Sequence, residues 1–219
     1  MSELAVDPKA FYDDLVRELE ARRAASSAAE QAFGADGPIG RAELIEWLQF
    51  QCWYEREAAS FIGAWLRDTP EPEAFYGLCR QIADEGVHCK LFESHLESLG
   101  ASMRGWQPEP EWIEWIQVFY PAGNDTLERV CAHNITGELG ALNAFINLKA
   151  RVPEATRKVL ERVMPDEEFH IALGRTLVHR YATTVDRQRR VARRVWDAFA
   201  LENKGRLAYE RRIAPLRAA

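Results

Sequence analysis

The chain has 219 residues, 47% of them hydrophobic and 28% charged, with a formal net charge of -6 at pH 7. This length suits one domain of ordinary size with a sizeable core, and the acidic balance gives no general case for nucleic acid as a partner. Charge interrupts every apolar run within a few residues, so no membrane span is expected. The opening MSELAVDPKAFYDD lacks the apolar region of a secretory signal, which leads us to expect a cytoplasmic protein.

Residues 8–33 are expected to form a covering helix, with Phe11, Leu15 and Leu19 on one stripe. A break at 34–40 precedes a long helix over about 41–67, whose stripe runs through Leu48, Cys52, Ala59, Ile62 and Leu66 and contains Glu55. Pro70 and Pro72 open the next helix, which runs to Leu99 before Gly100. Residues 100–123 form a long crossover with one short Trp-rich helix over Trp112 to Tyr120. Asn124-Asp125-Thr126 offers an N-cap for a third long helix ending near Arg151, with Glu138 interrupting its stripe of Cys131, Ile135, Leu142 and Phe145. Pro153 opens a fourth helix to about Ala182, and a charged helix over 184–212 keeps Val191, Val195 and Phe199 on one side. No alternating strand pattern occurs, so the expected class is all-α. Cys52, Cys79, Cys89 and Cys131 form no CxxC pair and read as buried reduced thiols rather than a zinc or disulfide framework.

Two stretches carry the chemistry. Asp84-Glu85-Gly86-Val87-His88 and Asp166-Glu167-Glu168-Phe169-His170 both read DExxH. Residues three apart share a helix face, so each copy aims a carboxylate and an imidazole at one point. The halves also repeat: Glu55 precedes Pro70 by 15 residues and Glu138 precedes Pro153 by 15, while Glu85 follows Pro70 by 15 and Glu167 follows Pro153 by 14. Each half is therefore a helical hairpin with a lone Glu on its first helix and DExxH on its second. Two such hairpins packed face to face would gather Glu55, Glu85, His88, Glu138, Glu167 and His170 at mid-height of a four-helix bundle. Four buried carboxylates would repel one another and take up protons. Two divalent cations neutralise them, and oxygen with imidazole donors suits iron or manganese. Glu57, on nearly the opposite face from Glu55, is the alternative ligand from the first long helix.

One Glu from each of two helices and a Glu-x-x-His from each of the other two is the ligand set of ferritin-like di-iron proteins. Over about residues 41–182 the chain resembles that ferritin-like di-iron carboxylate superfamily. The text around Asp84 to His88 (CKLFESHLESLG) and after His170 (IALG) looks like its bacterial hydroxylase and oxidase branch rather than a cage-forming ferritin. The residue before each His is Val87 or Phe169, unlike the DExRH of multicomponent monooxygenases. The resemblance implies a ferritin-like four-helix bundle with a long crossover, flanked by covering helices, in a single domain over 1–219. It also implies a centre of two iron ions, or iron with manganese, on those six residues, with Asp84 and Asp166 holding imidazole N–H groups across the site.

The function that follows is a non-haem oxidoreductase using dioxygen as co-substrate to hydroxylate or oxidise a small organic molecule. Leu48, Ile62 and Phe145 would keep its pocket dry. Its electrons come from an external donor, because no flavin or nicotinamide fingerprint is present. The rivals are an iron-oxidising, iron-storing or peroxide-consuming protein, and a metal-free structural bundle. A monomer or homodimer is expected for the oxygenase. His95, His133 and His179 read as core or surface histidines, Tyr54 as packing with a radical or proton role as its alternative, and Trp106, Trp112 and Trp115 as packing or a substrate mouth. Arg187, Arg189, Arg190, Arg193, Arg194, Arg211 and Arg212 make a local basic stripe, read as a solvated face with nearby acids rather than a dock for RNA or an acidic partner.

Overall fold

The computed structural model describes residues 5–26 and 37–217, and these are helical with no strand among them. Helix α1 spans Pro8–Ala25; the remainder of the helix expected to residue 33 lies outside the described residues. Asp7 caps α1 by accepting from the amides of Lys9 and Ala10 at 3.0 and 3.2 Å, and Pro8 fills the first turn, where its missing N–H costs nothing. Helix α2 spans Arg41–Trp65 and tightens into a 3-10 turn over Leu66–Asp68. Helix α3, Pro72–Ser98, ends as the sequence leads one to expect: Gly100 adopts φ +70. The amide of Gly100 then reaches the carbonyl of Glu97 and that of Ala101 reaches Leu96, the two bonds of a Schellman ending.

The crossover carries α4, a composite of Pro110–Trp112, a π-helical stretch Ile113–Phe119 and a 3-10 turn Tyr120–Ala122. Helix α5 is composite too: Thr126–Val130, a π-helical turn Cys131–Gly137, then Glu138–Lys149. Asp125 caps it through the amide of Glu128 at 2.9 Å, and the Glu128 carboxylate reaches back to the amide of Asn124 at 3.1 Å. Helix α6, Glu154–Tyr181, tolerates Pro165 in its interior, which cannot donate to the carbonyl four residues back. Helix α7 spans Val185–Arg217, somewhat longer than the expected 184–212.

Helix α2 packs along α3, α5 along α6, and α3 against α6, so each hairpin meets the other through its DExxH helix. Helix α7 crosses the π-helical turn of α5 and packs on α4 and α2, while α1 lies on α6. The core between them is aromatic, with Trp47, Phe92, Trp112, Tyr120 and Phe145 fully buried. Trp47 meets Phe92 and Phe145 edge to face at 5.6 and 5.9 Å between centroids, an arrangement that adds to plain burial. Truncating Phe92 to alanine would remove about 3–5 kcal/mol on the usual cost of an emptied aromatic site.

One expectation changes. Cys52 and Cys131 are buried, but Cys89 is only half-buried and Cys79 is exposed, because it lies on the outer side of α3. The C-terminal arginines meet nearby acids, as expected, and Arg187, Arg189, Arg193 and Arg211 are exposed. Arg190 holds Asp125 and Glu128 at 2.9 and 3.0 Å, Arg194 donates to the carbonyl of Phe119, and Arg212 holds Glu46 and Glu109. Much of that positive charge clamps α7 onto the other helices. No helix among the described residues is long and apolar enough to cross a membrane.

Candidate metal centre

The six residues singled out by the repeat are all at most 2% exposed and fall into two groups of three. Glu55, His88 and Glu167 form one; Glu85, Glu138 and His170 form the other, and in each the ligand atoms lie within 4.8 Å of one another. Each group takes a carboxylate from a first hairpin helix, an imidazole from one DExxH helix and a carboxylate from the other. Exchanging the two halves of the chain exchanges the groups. Glu57 is half-buried and lies outside both.

His88 Nδ1 faces Glu55, Glu85 and Glu167 at 3.7, 3.4 and 3.5 Å. His170 Nδ1 faces Glu85, Glu138 and Glu167 at 3.6, 3.5 and 3.3 Å. Glu85 and Glu167 therefore each turn one oxygen to either imidazole, whereas Glu55 faces only His88 and Glu138 only His170. The other ring nitrogens point to the aspartates, crosswise: His88 Nε2 lies 3.4 Å from Asp166 and His170 Nε2 lies 3.4 Å from Asp84. Arg80 ties the two aspartates together, at 3.3 Å from Asp84 and 3.4 Å from Asp166, with its guanidinium 3.6 Å above the Phe169 ring. An Nε2–H directed at an aspartate leaves the Nδ1 lone pair for whatever lies among the carboxylates.

Burial pushes Glu55 and Glu138 well above the usual carboxylate range, reinforced at Glu138 by Glu167 and Glu85. Burial also acts to raise Glu85, but His170 and hydrogen bonds from His88 and Glu55 outweigh it and hold the carboxyl down at about 2. At His88 burial opposes the charged form, and hydrogen bonds to Glu55 and Glu85 override it, raising the imidazole to about 11. The protein atoms alone thus balance the cluster with protons on imidazoles and on Glu55 and Glu138. A pair of divalent cations does the same with all four carboxylates ionised. The donor set fits such ions on one local observation above all: His88 Nδ1, fully buried, has three carboxylates around it at 3.4–3.7 Å and makes only long, weak contacts with them.

Three residues join the site that sequence periodicity did not single out. Gln81, one turn before Glu85, donates to Glu85 at 3.0 Å and Glu138 at 2.5 Å. Its own oxygen accepts from Asn134 at 2.9 Å, and Asn134 also donates to the carbonyl of His170 at 2.8 Å. His133, expected to be an incidental histidine, is fully buried with Nδ1 3.3 Å from Glu138 and Nε2 3.0 Å from the Tyr54 hydroxyl. Burial lowers it to about 4, so it is neutral. Five residues separate His133 from Glu138, which in an α-helix places them on different faces; the i→i+5 bonding of the π-helical turn stacks them instead. The sequence signal was present only as polarity, in the run His133-Asn134-Ile135-Thr136-Gly137 within an apolar helix. Arg23 of α1 supports that turn by donating to the carbonyl of Thr136 at 2.6 Å, and it also donates to Glu202 and to Glu20, each at 2.8 Å. His95, in contrast, bonds Thr156 at 2.8 Å and takes no part, and His179 packs against the Tyr12 ring.

Fold and site together define an all-helical protein with two adjacent, buried carboxylate–imidazole groups able to hold metal ions. No protein-family model matches the chain, and no curated protein matches it.

Proposed function

We propose that this protein is a ferritin-like di-iron carboxylate oxidoreductase, in which the two hairpins form the four-helix bundle and the six residues hold two iron ions, or iron with manganese. The observation carrying this reading is the placement of Glu85 and Glu167, each with one oxygen toward either imidazole, between two otherwise separate groups. Together with Glu55, His88, Glu138 and His170 they would hold the two ions. The metals would supply the electrons that activate dioxygen, replenished by an external donor, for oxidation of a small organic substrate.

The rest is the work of the chain itself. Asp166 orients the His88 imidazole by accepting from Nε2, Asp84 stands 3.4 Å from Nε2 of His170, and Arg80 restrains both aspartates. Gln81 fixes the carboxylates of Glu85 and Glu138. Leu48, Ile62 and Phe145, each at most 1% exposed, exclude water from the surroundings and so protect reactive species from side reactions. The Tyr54 hydroxyl bonds His133 Nε2, and His133 Nδ1 stands 3.3 Å from Glu138, so the pair could pass a proton to that carboxylate.

Elemental analysis of protein produced with iron tests the reading, and about two equivalents of metal per chain are expected for this ligand set. Less than about one equivalent would mean a metal-free helical scaffold. Elution as a monomer or dimer accords with the oxygenase, whereas a large shell would favour iron oxidation and storage.

A further inference from the structure

A cavity of about 80 Å³ lies between α2, α4, α5 and α7, on the far side of Tyr54 from the carboxylates. Its aromatic walls are Trp47, Phe50, Tyr54, Trp112, Trp115 and Tyr209. The opposite wall is a face of α5 reduced to Gly137, Gly140, Ala141 and Ala144, at intervals of three and four residues. Side chains no larger than methyl on that face leave open space between it and the facing rings of α2 and α4. Gln51, one turn before Glu55, and Gly137, adjacent to Glu138, belong to the lining, so the space borders the helix turns that carry two of the proposed ligands.

We propose that this cavity binds a single uncharged aromatic ring, and that its occupant is the substrate class of the centre described above. Three features select that chemistry. The walls are almost wholly apolar and aromatic, so they offer a flat ring edge-to-face and offset contacts that an aliphatic chain would not exploit. The charged groups at one end are already committed: Glu202 accepts from Arg206 at 2.6 Å through one oxygen and from Arg23 at 2.8 Å through the other. A charged ligand would have to compete with these pairings to offset its desolvation. The space is also small, since a closed apolar cavity that holds benzene whole is about 150 Å³. The present cavity, about 80 Å³ and open at its rim, is smaller than that, so a single ring enters it only in part, with the remainder of the ring and its substituent passing the half-buried rim of Ala141, Ala144 and Arg206. The indole N–H of Trp47, fully buried and without a partner, gives one donor in the lining for a hydroxyl or carbonyl on that ring.

The role as substrate site rests on the proposed metal centre, but binding itself does not. Titrating full-length protein, metal-free and metal-loaded, with 4-fluorophenol and separately with 4-fluorobenzoate, followed by 19F NMR, tests it. Saturable binding of the phenol is expected in both forms, with the benzoate at least about tenfold weaker. Ala144→Phe, and independently Ala141→Leu, place bulk in the cavity from its rim and are expected to weaken the phenol about tenfold or more while leaving the helical circular-dichroism spectrum unchanged. Absence of saturation, equal affinity for phenol and benzoate, or parental affinity in both variants would overturn the proposal. Phenol binding in a chain that takes up no iron would leave the aromatic site standing and remove only the metal reading; metal uptake without phenol binding would do the reverse.

Discussion

Asp84 stands 3.4 Å from the Nε2 of His170, on the opposite hairpin, rather than serving the histidine four residues along its own helix. Asp166 returns the relationship to His88 at the same distance. Each DExxH segment thus completes the other, and neither hairpin holds a properly oriented imidazole alone.

Cutting that crosswise support should weaken metal binding without unfolding the chain. Asp84→Ala is expected to lower affinity about 10–100-fold, the usual effect of removing a group that orients a metal-binding histidine. Chelator competition measures the loss, and the far-ultraviolet circular dichroism should stay that of the parent. Unchanged affinity would show that Asp84 is only a surface partner of Arg80.

Because each group has a histidine of its own, single histidine variants should act on occupancy. In His88→Ala the set Glu85, Glu138 and His170 persists, so metal content should fall from about two toward about one per chain. His170→Ala should do the same from the other side. If both variants load like the parent, these histidines do not bind metal.

Adding metal should stabilise the fold, since it replaces repulsion among buried carboxylates. One ion at about 100 times its dissociation constant contributes about 2.7 kcal/mol. At about 2–4 °C per kcal/mol for a chain of this size, the melting temperature should rise by about 5–11 °C and fall back on chelation. A melting curve indifferent to iron and manganese would contradict this.

The Arg23–Glu202–Arg206 cluster makes a prediction about acid. Burial acts to raise Glu202, but Arg23 and Arg206 outweigh it and hold the carboxyl below its ordinary value. A depressed folded pKa contributes stability that is complete above the unfolded value of about 4.3 and disappears as pH falls through the folded value. Glu202→Gln should therefore cost about 3–5 kcal/mol near neutrality, as expected for one partner removed from a buried ion cluster. Denaturant titrations across pH should show the gap between parent and variant narrowing below about pH 4.3. A gap constant with pH would mean that Glu202 acts by packing alone.

What could be read from the residues in a line was whatever depends on regular helical period and on composition. The all-helical class, the helix breaks at proline and glycine, and the spacing of Glu55, Glu85, His88, Glu138, Glu167 and His170 are of this kind, because the residues three apart in each DExxH share a face whatever surrounds them. Other features depend on departures from that period or on contacts between distant segments, and only the tertiary structure decided them. The π-helical turn at Cys131–Gly137 brought His133 beside Glu138, a pairing that α-helical spacing forbids. The packing of α3 on α6 set which aspartate serves which histidine, and placed Gln81 between carboxylates of different hairpins. The folding of α7 across α4 turned a basic stripe into a clamp and enclosed the aromatic cavity. Period encodes which way a side chain leaves its own helix; what it meets there depends on chain segments that no local pattern specifies.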